Sequence, residues 1–173
     1  MIDPAPTGAP EFTRPVDVGR LSSGDGVYDL RATDAERAAL ARRFDLLALD
    51  RFDADVQLEP LAGGLLRLSA ALKAEVVQAC VITLEPVGGL IDERFTVLYR
   101  AGAAAGETAV VLNGAEELVE PLPGDILDIG EAVAQQLSLA LDPYPRAPGA
   151  AAAAPGEVRA SPFAALAKWK KNN

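Results

Sequence analysis

Arg51-Phe-Asp-Ala-Asp-Val-Gln-Leu-Glu59 and Leu65-Leu-Arg-Leu-Ser-Ala-Ala-Leu-Lys-Ala-Glu-Val76 decide the fold of this 173-residue chain. In the first run Phe52, Ala54, Val56 and Leu58 alternate with Arg51, Asp53, Asp55, Gln57 and Glu59, the period of a strand with one buried face. In the second, Leu66, Leu68, Ala70, Leu72, Ala74 and Val76 alternate with mostly polar residues. Pro60 to Gly64 turns the chain between them. A Pro86-Val-Gly-Gly89 turn leads to a third strand, in which Phe95, Val97 and Tyr99 share a face. Three alternating runs joined by Gly/Pro turns predict an antiparallel meander with one wet side.

On the N-terminal side of the meander, Glu11–Val18 reads as an edge strand, since Pro15 bars it from a sheet interior. Ser22-Ser-Gly-Asp-Gly26 is a turn and Tyr28–Ala32 a short strand. Thr33-Asp-Ala-Glu36 has capping-box spacing. The helix it opens is expected to run to about Leu47, with Leu40, Phe44 and Leu47 on one face. On the C-terminal side, Ala101–Gly106 is a small-residue loop and Ala109–Leu112 a short strand. Glu116, Glu117, Glu120 and Asp125 follow as a solvated stretch broken by Pro121 and Pro123. Asp128 caps a second helix whose Ile129, Val133, Leu137 and Leu141 fall on one face. Asp142-Pro-Tyr-Pro145 stops it. Ser161-Pro162 then opens a short amphipathic helix to Lys171. The expected organisation is a disordered N-terminus (1–10), one domain (11–146), an Ala/Pro/Gly linker (147–157) and a basic amphipathic tail (158–173). The fold class is α+β: an antiparallel meander, open or closed into a barrel, packed with two to three helices, plus a short C-terminal helix on a flexible linker.

With 50% hydrophobic residues, a chain of this length buries one ordinary core. No apolar run reaches the roughly 20 residues that span a bilayer. The first ten residues hold an acid and three prolines and lack the basic start and apolar stretch of a secretory leader. Cys80 is the one cysteine, so there is no internal disulfide. A cytoplasmic protein with no membrane contact is expected. Charge is uneven: the chain is net −9, yet from Val158 onward there are four bases and no acids. Residues 1–157 carry 12 bases against 25 acids, net −13, a field that repels phosphate backbones.

The absence of histidine removes the usual general base and every Ser-His triad. One cysteine does not make a structural zinc site, and no phosphate-cradling Gly-rich loop occurs. Cys80 has neutral and acidic neighbours and no base nearby, so it reads as a quiet, half-buried strand-end residue. No catalytic residue, metal ligand or cofactor is expected. Two candidate contact surfaces remain. In the tail, Lys168, Lys170 and Lys171 beside Trp169 suit phosphates and a stacked base, with Pro162, Phe163 and Leu166 on the apolar side. Glu116, Glu117, Glu120, Asp125, Asp128 and Glu131 form a candidate acidic surface. A metal-dependent hydrolase or nuclease built on these acids, and a general interaction module recruited by the terminal helix, are the alternatives.

Three segments together resemble the bacterial YceD family, the large ribosomal RNA subunit accumulation proteins. Lys73-Ala-Glu-Val-Val-Gln-Ala-Cys-Val-Ile-Thr-Leu-Glu-Pro86 is similar to the family's strand running into Cys-x-x-Cys and a turn. Ile126-Leu-Asp-Ile-Gly-Glu-Ala-Val-Ala-Gln-Gln-Leu-Ser-Leu-Ala-Leu-Asp-Pro143 resembles its acidic helix, and Ser161-Pro-Phe-Ala-Ala-Leu-Ala-Lys-Trp-Lys-Lys171 its Asn-Pro-Phe-x-x-Leu ending. Thr83 replaces the second cysteine, and residues 142–149 hold none of the further cysteines of many relatives, so a metal role is not carried over. The resemblance implies a non-enzymatic factor in bacterial ribosome biogenesis that supports processing or accumulation of 23S rRNA. Its implied partners are a ribosomal protein or assembly factor, with rRNA touched through the tail.

Overall fold

The computed structural model of the chain describes residues 11–21, 26–102, 109–112 and 115–150. Its frame is the meander: β3 (Ala48–Pro60), β4 (Leu65–Ala79) and β5 (Pro86–Ala101) pair antiparallel in sequence order. Phe52 stands opposite Ala74 and Val56 opposite Ala70, so the apolar positions of the two deciding runs share one face. Between β3 and β4 the chain reverses at Gly63 and Gly64, both at positive φ (75° and 72°), a region costly for side chains with a Cβ. A short β2 (Val27–Arg31) lies on the outer edge of β3.

Three expectations are corrected here. Pro86-Val-Gly-Gly89 is the start of β5 and not a turn. The reversal occurs earlier, where the Leu84 N–H donates to the Cys80 carbonyl (2.9 Å) and the Cys80 N–H to that of Glu85 (2.8 Å), with Leu84 at φ 62°. Pro86 suits a strand's first position, where no ladder donor is needed. Second, the acidic stretch containing Pro121 is not loop. It is β7 (Ala115–Leu122), antiparallel to β6 (Ala109–Leu112) and parallel to the end of β5, with Leu98 opposite Val119 and Ala101 opposite Leu122. Burial of Val119 on one sheet face and Leu122 on the other outweighs the local charge and the proline. Third, α1 (Asp34–Arg43) stops short of Leu47. The Leu46 N–H returns to the Ala41 carbonyl (2.8 Å) and the Asp45 N–H to that of Arg42 (3.4 Å) around Asp45 at φ 55°, a Schellman ending.

The strand order is β2-β3-β4-β5-β7-β6, and the two end strands do not pair, so the sheet is open rather than a barrel. β1 (Pro15–Asp17) pairs with β8 (Ile126–Asp128) in a separate two-stranded ribbon. α1 packs on β3, while α2 (Ile129–Ala140) crosses β4 and β5. As expected, Ile129, Val133 and Leu137 point inward; they meet Phe12, Leu40, Phe52, Leu68 and Leu72 in the main core. The Phe12 and Phe52 rings tilt together with centroids 5.2 Å apart. Burial of each such side chain stabilises by roughly 2–3 kcal/mol. The expected capping box is present: the Glu36 N–H donates to Thr33 Oγ1 (3.3 Å) and the Thr33 N–H to the Glu36 carboxylate (2.8 Å). No helix among the described residues is long and apolar enough to cross a membrane. The expected disorder of residues 1–10, most of the Ser22–Gly26 turn, the Ala101–Gly106 loop beyond Gly102, and the linker and tail from residue 151 lie outside the described residues.

Candidate functional site

Strand alternation sends one side chain of every pair away from the helices, and these outward residues form a broad polar face. Across β2 to β5, Arg31, Asp53, Lys73 and Asp92 stand in one cross-strand row. Arg31 pairs with Asp29 (3.1 Å), Arg51 with Asp53 (2.6 Å) and Lys73 with Asp92 (3.9 Å), while Arg67 pairs with Glu59 (3.0 Å) three rows away. Between these ladders Gln57, Ser69, Ala71 and Thr96 floor a groove of about 520 Å³, walled by Val27, Asp55 and Arg94. Ser69 and Thr96 share a hydroxyl hydrogen bond (3.3 Å) across its floor. Among the register-paired positions of β2 to β5, this face carries six bases (Arg31, Arg51, Arg67, Lys73, Arg94, Arg100) and six acids (Asp29, Asp53, Asp55, Glu59, Glu75, Asp92), so these positions balance.

Among the described residues, at least eight of the twelve bases in residues 1–157 form ion pairs. Arg14 reaches Glu36 (2.7 Å) and holds that carboxyl down at about 2, chiefly through its hydrogen bond. Arg43 bridges Glu11 (3.1 Å) and Glu131 (2.6 Å), which lowers the Glu131 carboxyl and raises the guanidinium. Cations so engaged are poorly placed to collect nucleic-acid phosphates.

The acidic candidates do not form one surface. Asp128 is a structural hub: its carboxylate accepts from the Arg14 N–H (2.8 Å), the Thr13 hydroxyl (2.9 Å), and the Gly130 and Glu131 N–H groups (3.0 and 3.1 Å). Glu131 is held by Arg43 and by the Gln135 amide (3.0 Å). Glu120 is exposed on β7, and Asp125 is exposed in the turn before β8, where its carbonyl accepts from the Val18 N–H (2.8 Å). Glu116 and Glu117 belong to the β7 backbone beside β6. No group of three or more Cys, Asp or Glu among the described residues is arranged to hold a metal ion. Pro162, Phe163, Leu166, Lys168, Trp169, Lys170 and Lys171 lie outside the described residues.

Cys80 departs from its sequence reading. It is fully buried rather than half-buried, and its sulfur accepts N–H bonds from Ile82 (3.4 Å), Thr83 (3.4 Å) and Ala147 (3.3 Å). These N–H groups, together with the Thr83 hydroxyl, pull its thiol down to about 6, the Ala147 N–H contributing most and the Thr83 hydroxyl next. The expected lowering agent was a basic side chain, and backbone dipoles do the same work. The Val81 N–H also donates to the Pro145 carbonyl (2.9 Å), and the Gln78 amide to that of Asp142 (2.9 Å). The sulfur thus clasps the β4–β5 turn to the segment after α2. Ala147, read as the start of the linker, is part of that clasp.

Sequence reading also missed the outer edge of β5. Assigning Pro86-Val-Gly-Gly89 to a turn shortened this strand and hid how much of it has one neighbour only. Alternation holds only from Arg94 to Val97; the Leu90-Ile91 pair and the Asp92-Glu93-Arg94 run interrupt the period upstream and hid the strand's extent.

A family model described as large ribosomal RNA subunit accumulation protein YceD matches residues 68–170. The match begins within β4, takes in β5, β7 and α2, and continues into the basic tail. No curated protein and no solved structure matches the chain.

Proposed function

The chain belongs to the YceD family of large ribosomal RNA subunit accumulation proteins, and from that premise we propose that it is a non-enzymatic factor of bacterial ribosome biogenesis. It supports accumulation of 23S rRNA by engaging a basic ribosomal protein or assembly factor. The family match carries the role. The engagement mode is supported by charge: residues 1–157 are net −13, and at least eight of their twelve bases are paired among the described residues. Such a body attracts cationic protein surfaces and repels bare RNA. The tail from Val158, with four bases and no acids, is the part suited to phosphate contact.

The test is a comparison of rRNA precursors and subunit profiles in cells with and without the gene. Loss of the protein is expected to raise 23S precursors and lower large-subunit particles, both restored by the full chain. A chain ending at Glu157 is expected to restore them only in part. Unchanged precursors and profiles in the deletion strain overturn the reading.

A further inference from the structure

β5 runs for 16 residues, Pro86–Ala101, and pairs with β4 along almost its whole length in one unbroken register, without a bulge. Its other edge is covered by β7 only at Leu98–Ala101. Among the described residues no strand lies beside Pro86–Val97. At about 3.4 Å per residue this is an edge of roughly 40 Å, offering alternate backbone N–H and C=O groups to any extended chain. Natural proteins blunt such edges with charged side chains, prolines, bulges or a covering element. Here the one proline is at the very start and the charges are confined to Asp92-Glu93-Arg94, leaving Val87–Ile91 and Phe95–Val97 without any. Gly88 has open space where a Cβ would stand, and Leu90 is 83% exposed. On the core side, Ile91, Phe95 and Val97 are only partly buried against the main core, so the hydrophobic rim ends at this edge unfinished.

We propose that the Pro86–Val97 edge is a β-augmentation site that takes an extended, lysine- or arginine-rich segment of a basic protein as an added strand. An added strand would pair the open backbone groups and cover Ile91, Phe95 and Val97. Backbone pairing supplies affinity in this mode, and side chains select the occupant. Selection favours a cation: at mid-edge Asp92, which Lys73 reaches only at 3.9 Å, and Glu93 outnumber Arg94, Glu75 stands opposite Leu90, and the chain as a whole is net −9. A second copy would bring the same negative charge. The chain's own basic tail opens with Ser161-Pro162, a helix start, which disfavours an extended strand. The proposal rests on the basic-partner reading above and names the surface that serves it.

The probe is a synthetic ten-residue peptide of alternating lysine and valine, read by residue-resolved amide hydrogen exchange on the full chain. Alternate amides between Val87 and Val97 are expected to exchange about tenfold or more slowly when the peptide is added. A peptide N-methylated throughout, and one with glutamate for lysine, should leave them unchanged. The double substitution D92K/E93K should abolish the effect with the melting transition retained. Unaltered edge amides at saturating peptide, or equal protection by the N-methylated peptide, overturn the proposal. So does protection already present in the free chain that disappears on dilution or on removal of residues 158–173, since a second copy or the tail would then be the occupant. In the deletion strain, full rescue of 23S rRNA by D92K/E93K removes the edge proposal and leaves the biogenesis role standing. A deletion without effect on 23S rRNA removes that role and the basic-partner premise with it.

Discussion

Asp128 concentrates more of the structure than any other single side chain described, because its carboxylate serves two elements at once. It caps α2 through Gly130 and Glu131, and holds the entry to β1 through Thr13 and Arg14. Replacement by alanine removes a cap worth about 1–2 kcal/mol and strands further donors. Asp128→Ala is expected to lower unfolding free energy by roughly 2–3 kcal/mol in urea titration, and Asp128→Asn by less. Two residues on, Gly130 admits no side chain: a Cβ there would collide with the Phe12 carbonyl and crowd the Arg14 N–H (3.0 Å). Gly130→Ala is expected to cost at least as much, although alanine is the better helix former, and the melting temperature decides. Cys80 gives a pH signature. Its folded thiol titrates near 6, below the ordinary value, so its stabilisation is complete above the unfolded-state pKa and fades as pH falls through 6. Between those limits the unfolded chain binds more protons, and stability rises with pH. The difference in melting temperature between the wild type and Cys80→Ser should widen over that window; a constant difference would mean the sulfur stays protonated.

At the scale of elements, stops proved harder to read than starts. The Thr33 capping box and the Asp128 cap are local patterns of three or four residues, and both helices begin where those patterns place them. The end of α1 depends on Asp45 adopting φ 55°, and nothing in Arg42-Arg-Phe-Asp45 announces it, since glycine is the usual marker. Asp45→Gly should relieve this strain and raise stability by about 0.5 kcal/mol, measurable by urea titration. The core alternation of β3 and β4 was legible because every second residue is apolar from Phe52 to Leu58 and from Leu66 to Val76. β7 was illegible because its pairing with β5 is parallel and its burial is split between faces, which erases alternation. The cysteine clasp could not be read at all, because its donors are backbone N–H groups, one of them 67 residues away. The groove residues Gln57, Ser69 and Thr96 look like any wet strand face until register sets them side by side.

For the whole molecule, charge is arranged so that acids and bases balance across the paired outward positions of β2 to β5. Acid should therefore loosen the fold through particular pairs rather than through general repulsion. The Glu36 carboxyl, held near 2 by Arg14, contributes stability that is complete above the normal glutamate range and is lost as pH falls toward 2. Arg14→Gln should move the acid-unfolding midpoint to higher pH, as followed by far-ultraviolet circular dichroism; an unmoved midpoint would show the pair to be screened. The ribbon of β1 and β8 has a different consequence, for the order of events during synthesis. β2 to β5 are neighbours in sequence and can pair as each emerges, a low-contact-order assembly. Phe12 emerges before these strands yet finds Ile129, beside the β8 seam, only after that residue has been made, more than a hundred residues later. The nascent chain carries this aromatic without its Ile129 contact until then, so closure of the seam is a late step of folding and the interval before it is open to misassembly.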